Sequence, residues 1–240
     1  MPLPKISTPT YELEIPSTGK KIKYRPFLVR EEKILIMALE SEDMKQISNA
    51  IVQILSDCIQ TRGVKVKDLS TFDIEYLFLN VRAKSVGETV EVNITCPDDG
   101  ETTVQMEIGI DTIQVQKDKN HKDTIKLDDS LSMKMKYPSL DQFVENNFEV
   151  AEVNSDVNKS LNVIMSCVDM IYNEEESWSA SDYSKKELQE FVEQLNTKQF
   201  KEIEEFFTTM PKLSHTVKVK NPNTKVESEV VLEGLASFFS

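Results

Sequence analysis

One stretch of this sequence recurs 125 residues later without a gap. Val92, Ile94, Pro97, Gly109, Ile110 and Ile113 reappear as Val217, Val219, Pro222, Gly234, Leu235 and Phe238, six of the 22 positions between Val92 and Ile113. Further upstream, residues 21–28 and 133–140 each read as an alternating strand that ends in Tyr, then Pro, then a helix. A chain built this way must fold the same local pattern twice, and duplication ordinarily makes a scaffold or a pseudo-symmetric binding body. That directs the functional reading towards assembly and away from a single catalytic pocket.

Periodicity fills in the two copies. Residues 11–15 and 20–24 alternate on either side of Pro16, Ser17, Thr18 and Gly19, which predicts a β-hairpin. Ile34, Leu35, Met37 and Ala38, then Ile47, Ile51, Ile54, Leu55 and Ile59, follow helical spacing, with polar residues 40–43 as the break and Gly63 as the stop. Ser70 and Asp73 resemble a capping box ahead of Ile74, Leu77, Phe78 and Val81, and Gly87 ends that unit. Val90, Val92 and Ile94 alternate into a turn at residues 97–100, and Val104, Met106 and Ile108 alternate back. Residues 117–123 contain no apolar side chain and mark the boundary.

The second copy opens with alternating Leu131, Met133, Met135 and Tyr137. Ser139 then caps a helix carrying Leu140, Phe143, Val144 and Phe148. Val157, Leu161, Ile164, Met165, Val168 and Ile171 predict a further amphipathic helix, and residues 173–182 an acidic loop around Trp178. Ser184 with Glu187 is a full capping box, and Phe200, Ile203, Phe206 and Phe207 form one helical face. Residues 217–219 and 226–232 give a closing hairpin around Asn221, Pro222, Asn223 and Thr224. The expected fold is therefore α+β in two similar halves, residues 1–120 and 121–240. Each half runs strand, amphipathic helices, hairpin, and the pattern leaves open whether the two share one core.

Composition narrows the partners. At 240 residues and 39% hydrophobic content the chain can bury a sizeable core, which excludes general disorder. A formal charge of −13 repels phosphate backbones and disfavours nucleic acid, favouring a basic protein partner or serving only as a solubility device for eleven Phe. Cys58, Cys96 and Cys167 are an odd number and read as buried free thiols in a reducing compartment. Residues 1–7 have no leader pattern and no apolar run is long enough to span a bilayer, so the expectation is a soluble intracellular protein.

Chemistry-bearing residues are sparse. Cys96-Pro97-Asp98-Asp99-Gly100 has the outline of a zinc-ribbon knuckle with Asp99 in place of the second Cys, and Asn221-Pro222-Asn223-Thr224-Lys225 has no soft ligand at all. Each hairpin is thus read as zinc-ribbon-like without metal ligands, a shape now held by strand pairing and packing, and no metal or cofactor is expected. His121 and His215 are read as surface histidines. There is no glycine-rich phosphate loop, and Asp128, Asp129 and residues 174–176 are read as solvated faces. An enzyme is not expected, and no small-molecule substrate; a small hydrolase hidden in the acidic loops is the alternative that substrate screening would expose. Phe206, Phe207, Phe238 and Phe239 are candidates for an aromatic contact patch, although core packing is the commoner fate of such rings. Trp178, in its polar insertion, is the better interface candidate.

Three stretches taken together carry a family resemblance: residues 24–33 (Tyr-Arg-Pro-Phe-Leu-Val-Arg-Glu-Glu-Lys), residues 73–88, and Tyr137-Pro138-Ser139. The chain resembles the baseplate hub assembly proteins of T-even-type contractile-tailed bacteriophages from about residue 10 to Phe239. The resemblance implies a tail-assembly protein working with hub and tape-measure proteins in the host cytoplasm, without catalytic residues. It implies either a transient assembly factor or chaperone, or a permanent structural subunit of the virion baseplate. The charged residues 30–33 read as local ion pairs at a helix start, each worth tenths of a kcal/mol.

Overall fold

The computed structural model describes residues 6–140 and 156–238. In chain order the described elements begin with β1 (Tyr11–Glu14), β2 (Lys21–Tyr24), α1 (Val29–Glu40), α2 (Met44–Cys58), α3 (Thr71–Ala83), β3 (Thr89–Thr95), β4 (Thr103–Gly109) and β5 (Gln114–Gln116). They continue with β6 (Thr124–Lys126), β7 (Ser132–Met135), α4 (Asp156–Cys167), β8 (Val168–Tyr172), β9 (Ser177–Ser179), α5 (Lys185–Val192), α6 (Thr197–Thr209), β10 (Lys212–Lys220) and β11 (Glu227–Glu233). The strands form four small sheets, ordered β1-β2, β3-β4, β11-β10-β5 and β6-β7-β8-β9, and every pairing is antiparallel. The fold is mixed α and β.

The chain divides into two units, but not at residue 120. The first takes Met1–Gln116 together with Lys212–Ser240, and the second takes Lys117–Pro211. The polar run at residues 117–123 does mark one crossing. The return at residue 212 has a physical cause: β10 needs a partner on its second edge, and Leu213 aligns with Val115 of β5. Leu213 is fully buried there, in a core with Val92, Ile94, Ile108, Ile110, Ile113, Val217, Val219 and Phe238. The positions that recur 125 residues apart therefore supply one core in the first unit.

The two hairpins also repeat in backbone detail. Gly100 N–H donates to Cys96 O at 2.9 Å, and Lys225 N–H donates to Asn221 O at 3.0 Å. Gly100 has φ +69°, and Lys225, its counterpart, has φ +67° although it is not glycine. Each hairpin then ends at a glycine followed by a single 3-10 turn, Ile110–Thr112 and Leu235–Phe238.

Within the first unit, side-chain carboxylates cap one helix and tie the start of another to a turn. Asp43 caps α2 by accepting from Lys45 N–H at 2.9 Å, as the break at residues 40–43 predicts. Ser70 does not complete the expected capping box at α3. Its hydroxyl donates to Asp73 Oδ2 at 2.5 Å, while Asp73 Oδ1 accepts from Ser17 N–H at 2.9 Å. The carboxylate of α3 thus fastens the β1-β2 turn.

One partly buried carboxyl ties the closing 3-10 turn to α3 in the first unit. Glu75 Oε1 accepts the Leu235 N–H at 3.0 Å, and Gly234 passes so near that a Cβ would lie 3.2 Å from the same oxygen. Burial pushes the Glu75 carboxyl up to about 7, and the Leu235 bond offsets only part of that. A carboxyl raised in the folded state binds its proton more tightly than when unfolded, so stability falls as pH rises from about 4.5 through 7. Glu75→Gln keeps an acceptor for Leu235. It is expected to raise stability at pH 8, by up to about 3 kcal/mol, and to flatten the dependence between pH 5 and 8 in thermal melts. An unchanged pH slope in the variant would refute the assignment.

In the second unit Ile125, Met133, Met135, Ile164, Val168, Ile203 and Phe206 lie in one core. Two expectations are corrected. The helix beginning near residue 157 stops at Cys167, and Val168–Tyr172 is a strand, because β7 offers an edge and Met133 pairs with Ile171. Helical spacing there yields to tertiary pairing. The stretch after it is a hairpin, β8 to β9, in which Asn173 Oδ1 accepts from Glu175 and Glu176 N–H at 2.8 and 2.6 Å. The predicted capping box holds: Ser184 and Glu187 exchange bonds at the start of α5. The helix expected around Phe143 and Phe148 lies outside the described residues.

Candidate protein-interaction surface

Helix α1 buries one charged residue and leaves several of its apolar side chains in water. Its buried residues are Glu31 and Ala38. Val29, Ile36, Met37 and Leu39 are 80%, 49%, 60% and 47% exposed. At 100° per residue, Val29 and Ile36 stand opposite Glu31 and Ala38, with Met37 and Leu39 flanking them. Four large apolar side chains left in water on one short helix are worth noting, although exposed Lys33 and Glu40 share that side of the helix.

The helix is fixed in this orientation from its first turn. Glu31 has no accessible side-chain surface. Its Oε1 accepts from Arg25 Nη2 at 2.9 Å and from Arg30 Nε at 2.6 Å, and its Oε2 accepts from Leu28 N–H at 2.8 Å. Arg25 is itself buried and also donates from Nη1 to Pro26 O at 2.9 Å. Burial opposes the charge on Glu31, but the bonds from Arg25, Arg30 and Leu28 outweigh it and hold the carboxyl down at about 2. The ion pairs expected at the start of this helix are therefore far from marginal surface pairs. Ile34 and Leu35 are half-buried on the same side as Glu31 and Ala38, whereas Val29, Ile36, Met37 and Leu39 stand in water.

Beside the helix N-terminus lies a groove of about 600 Å³, lined among others by Ile6, Phe27, Leu28, Val29 and Val86. Ile6, Leu28 and Val86 are exposed. Phe27 N–H is held by Ser85 Oγ at 2.9 Å, which anchors the groove floor to the end of α3. Arg30 and Glu32 complete the groove wall, so the apolar area here is rimmed by charge.

The residues singled out from the sequence fall elsewhere. Phe206 and Phe238 are 2% and 0% exposed and belong to two different cores. Buried rings offer no area to a partner, so Phe206 and Phe238 take the core role that the sequence reading weighed against the contact patch. Phe207 is partly buried, edge-on to Phe206 with centroids 5.2 Å apart. Trp178 is partly buried on β9 opposite Ile171 and packs on the core of its unit. Phe239 lies outside the described residues. The α1 face was missed although a signal was present. Ile34 to Leu39 is a run of six apolar residues, and a helix with one buried stripe cannot hide them all.

A second polar cluster lies in the second unit. His121 is half-buried, not a surface histidine as expected, with Nδ1 2.9 Å from Thr209 Oγ1 and Nε2 3.0 Å from Tyr137 OH. It stacks on Tyr137 at 5.6 Å and packs against Phe206 at 5.2 Å. Burial holds its pKa below the ordinary histidine value. Both ring nitrogens are engaged by hydroxyls, and an open cavity of about 660 Å³ lies beside it. His215 is half-buried within β10, opposite Leu232. Among the described residues no cluster of three or more His, Cys, Asp or Glu is arranged to hold a metal. No helix among them is long and apolar enough to cross a membrane. All three cysteines are free and buried.

Comparison with known proteins gives one match. The model of the family described as T4 bacteriophage base plate protein covers residues 8–240. No curated protein and no solved structure matches.

Proposed function

The chain belongs to the T4 bacteriophage base plate protein family, and on that premise we propose that it acts in assembling the central hub, docking a hub or tape-measure protein on α1. The observation that carries this reading is the set of exposed apolar side chains on α1, Val29, Ile36, Met37 and Leu39, on a helix anchored at its first turn by a buried ion pair. As an assembly factor the protein covers aggregation-prone surface on its partner in the host cytoplasm and leaves when the hub closes. The alternative is a permanent subunit of the virion baseplate. We assign no catalytic step to it: His121 has both nitrogens occupied, and the acidic pairs at residues 128–129 and 174–176 are exposed.

The polar pair Ile36→Gln with Met37→Gln tests the docking face. Both positions are exposed, so stability should stay within about 0.5 kcal/mol. Binding to the hub or tape-measure partner, measured by titration, should weaken about tenfold or more. Undiminished binding in the variant would remove α1 as the docking face. Counting this chain against hub proteins by quantitative mass spectrometry separates the two roles. Enrichment in tail intermediates and loss from mature virions is expected of an assembly factor, and fixed whole-number copies in virions of a subunit.

The reading extends to how the chain is built, as a duplication with an insertion in the second copy. In each copy a hairpin strand ends against the helix that carries a buried Cys at its last position. Arg25 N–H donates to Cys58 O at 3.0 Å, and Lys136 N–H donates to Cys167 O at 2.7 Å. Next come α3 and a hairpin in the first copy and α6 and a hairpin in the second, where β8, β9 and α5 stand between α4 and α6.

A further inference from the structure

The turns at residues 96–100 and 221–225 lie far apart in sequence and meet tip to tip in the first unit. Asn221 is fully buried. Its Nδ2 donates to Asp99 Oδ2 at 2.8 Å and to Asp98 Oδ1 and Oδ2 at 3.1 Å each. The Thr224 hydroxyl donates to Asp98, and Asn223 Nδ2 donates to Thr102 Oγ1 at 3.0 Å. Asp99 also accepts within its own turn, from Glu101 and Thr102 N–H at 3.1 and 3.0 Å and from the Thr102 hydroxyl at 2.5 Å.

In a zinc ribbon two such turns face each other, and the first and fourth residue of each supplies a thiolate to one tetrahedral metal. Here those four positions are Cys96, Asp99, Asn221 and Thr224. The donor set does not fit zinc: one thiol, one carboxylate, an amide and a hydroxyl offer no tetrahedral soft site. Asn221 reproduces another part of the motif. Its Oδ1 accepts from Asn223 N–H at 2.8 Å and Thr224 N–H at 3.3 Å, the backbone bonds that a thiolate at the head of such a turn would take. The amide group then spans the gap to the opposite turn, where a metal would otherwise connect the two.

We infer that the paired turns are a zinc-ribbon clasp in which hydrogen bonds centred on Asn221 have replaced the metal, and that the backbone still holds the four corners of a tetrahedral site. This deepens the duplication proposed above and is independent of the hub role. Losing the clasp would leave the α1 docking face standing.

The test restores the ligands in the full chain with Asp99→Cys, Asn221→Cys and Thr224→Cys alongside native Cys96. The triple variant, titrated with Co²⁺ and then Zn²⁺ under reducing conditions, is expected to take one ion per chain. The cobalt form should have the absorption of a tetrahedral thiolate site, Zn²⁺ should raise Tm, and adding Cys96→Ser should abolish the tetrahedral spectrum. A triple variant that binds no ion, or binds cobalt only in octahedral geometry, overturns the inference. So does stoichiometric zinc in the wild-type protein. A milder measurement does not depend on the triple variant folding: Asn221→Ala and Asp99→Ala, singly and together, should show coupled losses in Tm. Additive losses would mean that Asn221 does not join the turns.

Discussion

Glu31→Ala is expected to destabilise the protein by about 3–5 kcal/mol, because it leaves the buried Arg25 guanidinium without its counter-charge. Arg25 is 8% exposed and Glu31 0%, so neither can turn to water when its partner is lost. The variant also loses the acceptor of the Leu28 N–H at the first turn of α1. Chemical denaturation read by circular dichroism measures the change, and a loss below about 1 kcal/mol would refute the ion-pair account. Replacing both partners by apolar residues, Arg25→Met with Glu31→Leu, should recover most of the loss, since removing the pair together leaves no orphaned charge.

The same carboxylate sets an acid limit. Its pKa is about 2 in the folded chain, against 4.5 for an ordinary Glu. A depressed folded-state pKa contributes stability that is present above about pH 4.5 and is lost as pH falls towards 2. The contribution is at most about 3 kcal/mol. Below pH 4.5 the wild type should therefore lose stability more steeply than the double apolar variant. Equal acid sensitivity of the two would place the acid-labile group elsewhere.

Phe238→Ala is the second large effect, expected to cost about 3–5 kcal/mol by leaving a cavity among Val92, Ile113, Leu213 and Val219. The ring has no exposed surface. Stability and binding separate the two roles an aromatic at this position can have. A core ring lowers Tm on truncation, whereas a contact ring leaves Tm in place and weakens the complex. A Tm unchanged to within a degree or two would return Phe238 to the interface candidates. The fall in Tm should be several times that of Ile36→Gln with Met37→Gln, whose side chains are already in water.

Much of the fold is legible in the sequence because local signals agree with tertiary demands. Val90, Val92 and Ile94 alternate, and so do their burials in β3. The Ser184 and Glu187 capping box starts α5 where its chemistry requires. Legibility fails where a distant partner decides. Val168 and Ile171 fit a helical period, yet β7 draws them into a sheet. The site is less legible than the fold. Glu31 looks like one of several charges at a helix start, and only burial beside Arg25 reveals it as the group that anchors the first turn of α1.

By itself the sequence determines most element types outside residues 168–182, the hairpin pair 125 residues apart, the acidic charge and the family. These follow from spacing, turn chemistry and composition, which act over a few residues. The tertiary structure alone decides that the closing hairpin returns to the first unit, that Phe206 and Phe238 are core, and that Val29, Ile36, Met37 and Leu39 of α1 stand in water. Those outcomes depend on which surfaces meet. Edge pairing of β10 with β5, burial of the Arg25–Glu31 pair and the clasp at Asn221 each join residues that no local pattern connects.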